Sequence, residues 1–314
     1  MQNQVSLTWA DLFATGSLID LDVSMWDGLV RIRPEDLGIP RTDAVRKALT
    51  FGHERLVSKV SLQEIRDLAY QGRCVIDNHT LAFDLIPGSR FIPKAHRDSV
   101  DEQLKALRVK FNSAVNKFVN NYNDERQNQT KTIREALMQA TGGDIDTVKT
   151  AMNRIEAQYP VEAELRTKFA IGWRVYSMAA PQDGTGASDG ESEGNAIRHS
   201  VEQMVDNLRT KLTDKVKTIA ELAARGGRIT AKTFNSANRV FERLSELNVF
   251  GDAGLTATLS NIKNVLNAAQ ASENSGEALK ALETVSTELA ASRDEAINAV
   301  SKRIVGMAER RMEI

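Results

Sequence analysis

Two stretches of this chain carry the same hydrophobic rhythm. Val100, Leu104, Leu107, Phe111, Val115, Phe118 and Tyr122 recur at steps of 4, 3, 4, 4, 3 and 4. Val201, Val205, Leu208, Leu212, Val216, Ile219 and Ala223 repeat those steps 101 residues later. Steps of three and four gather side chains on one face of a helix, so two long amphipathic helices are predicted. The two successive fours shift a heptad toward an eleven-residue repeat, which relaxes left-handed supercoiling. Stripes so matched could pack side by side along a fairly straight seam. Ser99-Val100-Asp101-Glu102 has the form of a capping box and is predicted to start the first helix, just after the break at Pro93.

Elsewhere the pattern changes period. Ile19, Leu21, Val23 and Met25 alternate with Asp20, Asp22 and Ser24, as in a half-buried strand, and Asp27-Gly28 is a hairpin turn signal before "LVRIR". A short turn over 33–40, a short helix over 43–51, a helix opened by the box Ser61–Glu64 and running toward Asn78, and an extended "LAFDLIPGSRFIP" complete the first 95 residues. "TGGD" at 141–144 ends one helix and caps the next, and Pro160 suits the first turn of a helix carrying "VEAELRTKFAIGWRVYSMAA". "RGGRIT" and "FGDAG" punctuate the remainder, and an Ala-rich amphipathic helix is expected from 276 to the end, with basic residues late. Residues 181–195, "PQDGTGASDGESEGN", hold no bulky apolar side chain and read as a flexible acidic linker.

The fold class expected is mainly α: elongated helical hairpins or a coiled-coil-like bundle with a small α/β N-terminal region. The divisions expected are a small α/β region at 1–95, a helical region with the long helix at 96–180, the linker at 181–195 and a C-terminal helical region at 196–314.

Composition agrees, with 26% charged and only 5% aromatic residues among 314. A formal charge of −1 gives no support to a whole-surface attraction for nucleic acid or anionic lipid. Cys74 is the single cysteine, so an internal disulfide is excluded, and its apolar neighbours suggest an inert buried thiol. No apolar run is long enough for a membrane span, and the N-terminus lacks the basic start of a signal peptide; a reducing, cytoplasmic setting is expected.

The chemical motifs fail one by one. His96-Arg97-Asp98 opens like a kinase catalytic loop, but Gln103 stands where the metal-holding Asn belongs. Phosphate-binding and dinucleotide glycine loops and the hydrolase serine elbow are absent. His53, His79, His96 and His199 form no ligand spacing; Asp77, His79 and Asp84 could meet at a turn, though a hydrogen-bonded polar loop is the better reading. No catalytic residue, cofactor or metal is expected. Phe169, Trp173 and Tyr176 fall at i, i+4 and i+7, core residues by default and partner-binding anchors otherwise. Lys302, Arg303, Arg310 and Arg311 read as a solvated helix end.

"DVSMWDGLVRIRPEDLGI", "ALTFGHERLVSKVSLQEIRDLA", "SRFIPK" and "FNSAVNKFVNNYNDE" together resemble a bacterial and phage family known only as a domain of unknown function. The resemblance spans roughly 20–125 and rests on structural motifs. It implies genes often encoded near MoxR-like or cobaltochelatase-type AAA+ ATPases, and carries over no catalytic residue.

The expectation is therefore a non-enzymatic helical interaction protein, an adaptor or accessory subunit of an AAA+ ATPase system or a self-assembling scaffold. Its contacts would come from Phe169, Trp173, Tyr176, Leu104, Leu107, Phe111 and Phe118. The alternative is a nucleic-acid-binding accessory protein using Lys105, Arg108, Lys110 and Lys117 on one helix flank.

Overall fold

A computed structural model of the chain describes residues 9–31, 53–178, 190–226 and 231–271, together with Thr284 and Val300. These residues are mostly helical, with a small antiparallel sheet near the N-terminus. In order, they form α1 (Trp9–Thr15), β1 (Gly16–Ser24), β2 (Leu29–Arg31), β3 (His53–Arg55), α2 (Gln63–His79), β4 (Leu81–Ala82) and β5 (Arg90–Pro93). The long helix α3 (Lys94–Asn120) follows, then α4 (Tyr122–Ala140), α5 (Ile145–Glu156), α6 (Glu162–Thr167), β6 (Ala170–Tyr176), α7 (Gly190–Gly226), α8 (Ala231–Glu246) and α9 (Ala253–Ala271). The turn at 33–40, the helix at 43–51 and most of the C-terminal helix expected from 276 lie outside the described residues.

The chain divides into two compact units, neither contiguous in sequence: one from 1–20, 75–101 and 174–314, the other from 21–74 and 102–173. In the first, Leu18, Leu81 and Phe91 of the sheet and Trp9 and Leu12 of α1 share a core with the α7 stripe. Val201, Val205, Leu208, Leu212, Val216 and Ile219 are each no more than 3% exposed, and Phe241, Leu255 and Leu259 of α8 and α9 complete that core. Burial of this kind, rather than helix propensity, holds such helices together. Gly16 is needed where β1 meets β5, since a Cβ there would stand 2.4 Å from the Ile92 carbonyl oxygen.

In the second unit the α3 stripe from Leu107 through Phe118, continued by Tyr122, packs with Ile65 of α2, Val148 and Met152 of α5, Leu165 of α6 and Ile171 of β6. The two matched stripes therefore belong to different cores. Tyr122 is also the first residue of α4, after a break at Asn121, and its hydroxyl donates to the Pro160 carbonyl at 3.0 Å. Burial pushes that phenol up to about 12.

Four local expectations are corrected. The Asp27-Gly28 turn forms, with Gly28 at φ 69 and Leu29 N donating to Asp27 Oδ1, yet β2 pairs with β3 instead of β1. β1 itself pairs with β5, and the larger sheet is ordered β4-β5-β1-β6. Helix α3 begins at Lys94, directly after Pro93, so Ser99–Glu102 lies within it and does not open it. The helix expected beyond Pro160 stops at Thr167, and residues 170–176 are strand β6. Ile171, Trp173, Val175 and Tyr176 are strand formers, and a sheet partner decides between the two periods. Finally, α7 already begins at Gly190, inside the expected linker; residues 181–189 lie outside the described residues.

Candidate protein-interaction surface

Strand geometry separates the three aromatic residues expected on one helix face. Trp173 and Tyr176 lie on opposite faces of β6, and Phe169 precedes the strand. Phe169 is buried, edge-on to Phe118 with ring centroids 5.8 Å apart. Trp173 is half-buried, with the Arg108 guanidinium 5.0 Å from its ring centroid. The Tyr176 hydroxyl donates to Asp20 Oδ1 at 3.2 Å and is hydrogen-bonded to the Ser89 hydroxyl. Leu104, Leu107, Phe111 and Phe118 are all buried within the chain itself, which places them in the interior rather than on a free face.

Lys105, Arg108, Lys110 and Lys117 of α3 are exposed, as their off-stripe positions require. The partners of Arg108 and Lys117 temper a basic stripe. Arg108 lies over Trp173, and Lys117 Nζ is 3.1 Å from Glu64 Oε2. The turn proposed for metal chemistry is divided as well. Asp77 pairs with Arg90, His79 Nδ1 is 2.8 Å from the Val75 carbonyl, and no group of three His, Cys, Asp or Glu side chains suited to a metal occurs among the described residues. Cys74 is half-buried, less enclosed than its apolar neighbours suggested.

Sequence reading missed an open groove of about 750 Å³ between the starts of α2 and the middle of α3. Val60, Gln63, Glu64, Asp67 and Leu68 line one wall, and Val109, Lys110 and Ser113 the other. Val60 is 82% exposed and Val109 70%; Tyr70, at 66%, lies seven residues after Gln63 and so on the same flank of α2. Val60 and Val109 thus leave apolar surface exposed among the polar Gln63, Glu64, Asp67, Lys110 and Ser113 of the groove. The signal was present in the α3 pattern, because Val109 lies two residues from both Leu107 and Phe111 and therefore cannot share their face. Lys117 and Phe118 of α3 and Glu125 of α4 line a smaller adjoining hollow of about 160 Å³ with Val60 and Glu64.

A search of curated proteins and one of solved structures each returned no match. One family model, described as "Protein of unknown function (DUF3150)", matches residues 15–290. That match runs well past the 20–125 stretch whose motifs carried the resemblance, through α7, α8 and α9, and takes in parts of both units. With most of its length matched by that model, the chain belongs to the DUF3150 family, whose function is unknown.

Proposed function

We propose that this chain is a non-enzymatic helical interaction protein whose partner binds the groove between α2 and α3. The observation that carries the reading is the exposure of Val60 and Val109, which both line that groove. Burying such side chains is worth roughly 25 cal/mol per Å² of apolar surface, and a groove of this form accepts an amphipathic helix or an extended segment. The family resemblance suggests the partner, an AAA+ ATPase of the MoxR-like or cobaltochelatase type, which the chain would serve as an adaptor or accessory subunit. A second copy of the chain, making a self-assembling scaffold, is the other partner of this reading.

The test is a comparison of wild-type protein with a Val60→Glu, Val109→Glu double variant, by affinity purification from the host with mass spectrometry and by light scattering. Wild type is expected to retain a defined protein partner, or to self-associate, and the variant to lose it. Equal recovery of the same partner by both proteins would remove the groove from the reading. A lone wild-type monomer with no partner would remove the reading itself. The nucleic-acid alternative rests on Lys105, Arg108, Lys110 and Lys117, and would instead give an affinity falling steeply with salt.

A further inference from the structure

The groove between α2 and α3 is charged unevenly. Its lining from α2 holds two acids, Glu64 and Asp67, and no base, whereas its lining from α3 holds Lys110 and no acid. The α3 side keeps that sign beyond the groove, since Lys105, Arg108, Lys110 and Lys117 are the charged residues from 103 to 120. Glu64 is met within the chain by Lys117, Oε2 to Nζ at 3.1 Å. Asp67 accepts from the Gln63 amide at 2.7 Å, and neither it nor Lys110 forms an ion pair among the described residues. The exposed Val60 and Val109 are too open to be floor residues, so both stand at the rim.

A surface of this kind is complementary to itself. In a two-fold dimer every contact is made twice, residue i of one copy meeting j of the other and j meeting i. A two-fold axis running along the groove turns the partner's α3 side over this copy's α2 side, and its α2 side over α3. Asp67 then faces the partner's Lys110, and Lys110 the partner's Asp67, while Val60 is carried toward the partner's Val109. An axis across the groove would instead set acid on acid and base on base, which like-charge repulsion opposes. An unrelated protein needs the converse charges on its own surface; a second copy carries them by construction. Gln63, Gln71 and Ser113 keep hydrogen-bonding capacity for water held between the two grooves.

We infer that two copies of the chain pair face to face through this groove, about a two-fold axis along it, with the α2 side of each against the α3 side of the other. Such pairing rests on the reading of the groove as the contact site and makes a second copy its occupant. It withdraws Val60 and Val109 of both copies from water and gives Asp67 and Lys110 the opposite charge that each lacks within its own chain.

The test is light scattering and sedimentation of the full chain over a wide concentration range, with two charge reversals, Asp67→Lys and Lys110→Glu. Wild type is expected to reach the dimer mass. Each variant alone sets like charges together at both symmetric contacts and should dimerise about tenfold or more weakly. Mixed in equal amounts, the two variants restore both opposite pairs, and the dimer should return. A wild-type monomer throughout would overturn the pairing; the groove would keep its contact role only if Val60→Glu, Val109→Glu still abolished capture of a different protein. Wild-type dimers unchanged by either reversal would overturn this face as the interface. Weakening in each folded variant without recovery in the mixture would overturn the charge-matched arrangement. Because exposed charge contacts are screened, wild-type dimerisation should also weaken as salt rises, and a dimer indifferent to salt would overturn the arrangement even should a variant not fold.

Discussion

Arg209 and Asp252 are 5% and 2% exposed, and they meet through two hydrogen bonds, Nε to Oδ2 at 2.8 Å and Nη2 to Oδ1 at 3.0 Å. The same carboxylate accepts from Leu255 N, and Asn248 accepts from Asp252 N and donates to its carbonyl oxygen, so one residue closes a charge pair and opens α9. Replacing a buried pair wholesale can be neutral, but removing one partner strands the other charge. Asp252→Ala is expected to cost about 3–5 kcal/mol in a urea unfolding experiment. Lys117→Ala breaks an ion pair with side chains 70% and 58% exposed and should stay within about 0.5 kcal/mol. A loss at Asp252 no larger than that at Lys117 would show that the pair is hydrated in solution. In the sequence, Asp252 sits in "FGDAG", legible only as punctuation between helices. Its partner is 43 positions away, and no local period points to it. Of the groove residues, Val60 is hidden for a related reason, an ordinary apolar letter until a neighbouring helix shows which side is covered, whereas the α3 period already sets Val109 off the buried stripe.

At the scale of elements, part of the local chemistry is legible in the sequence and long-range pairing is not. "TGGD" does what its letters imply: Gly142 and Gly143 take φ values of 64 and 88, and Asp144 caps α5 by accepting from Asp146 N and Thr147 N. The apolar stripe of α7 is buried along its described length for the same reason, since a helix period is written in the sequence itself. β6 is the opposite case. Its place beside β1 in the sheet joins segments some 150 residues apart, and no propensity within 161–180 could announce that partner. The start of α3 was missed because Pro93 already ends β5 with a break, leaving Lys94 free to begin the helix before the better-looking box at Ser99. The Asp144 cap also makes a pH prediction. Hydrogen bonds from the Thr147 hydroxyl and backbone hold its carboxyl below the ordinary 3.8. A lowered carboxyl stabilises above its unfolded value, and that contribution is lost as pH falls through the folded one. Carboxyl ¹³C titration should place Asp144 below 3.8, and Asp144→Asn, which caps without ionising, should lessen the acid-induced loss of amide protection at the start of α5. A midpoint at 3.8 or higher would mean the cap is open in solution.

On the scale of the whole molecule, the division of the chain into units makes the last prediction. The core of the first unit draws Trp9, Leu12, Leu18, Leu81, Phe83 and Phe91 from the early part of the sequence, and Leu208, Leu212, Phe241 and Leu255 from the late part. The helices of 196–314, despite a well-formed stripe, therefore lack part of their apolar partner surface when cut away. Removal of several large core side chains at once exceeds what a marginally stable fold tolerates. A fragment of residues 196–314 is expected to keep some helical circular dichroism but to melt without a cooperative transition. A chain rejoined from 1–20, 75–101 and 174–314 through short Gly/Ser linkers should recover cooperativity, because it restores the whole core. A sharp thermal transition in the 196–314 fragment alone would instead assign the helices an independent core, and Phe91, which stacks on Phe250 at 6.1 Å, would be an addition to it and not a part of it.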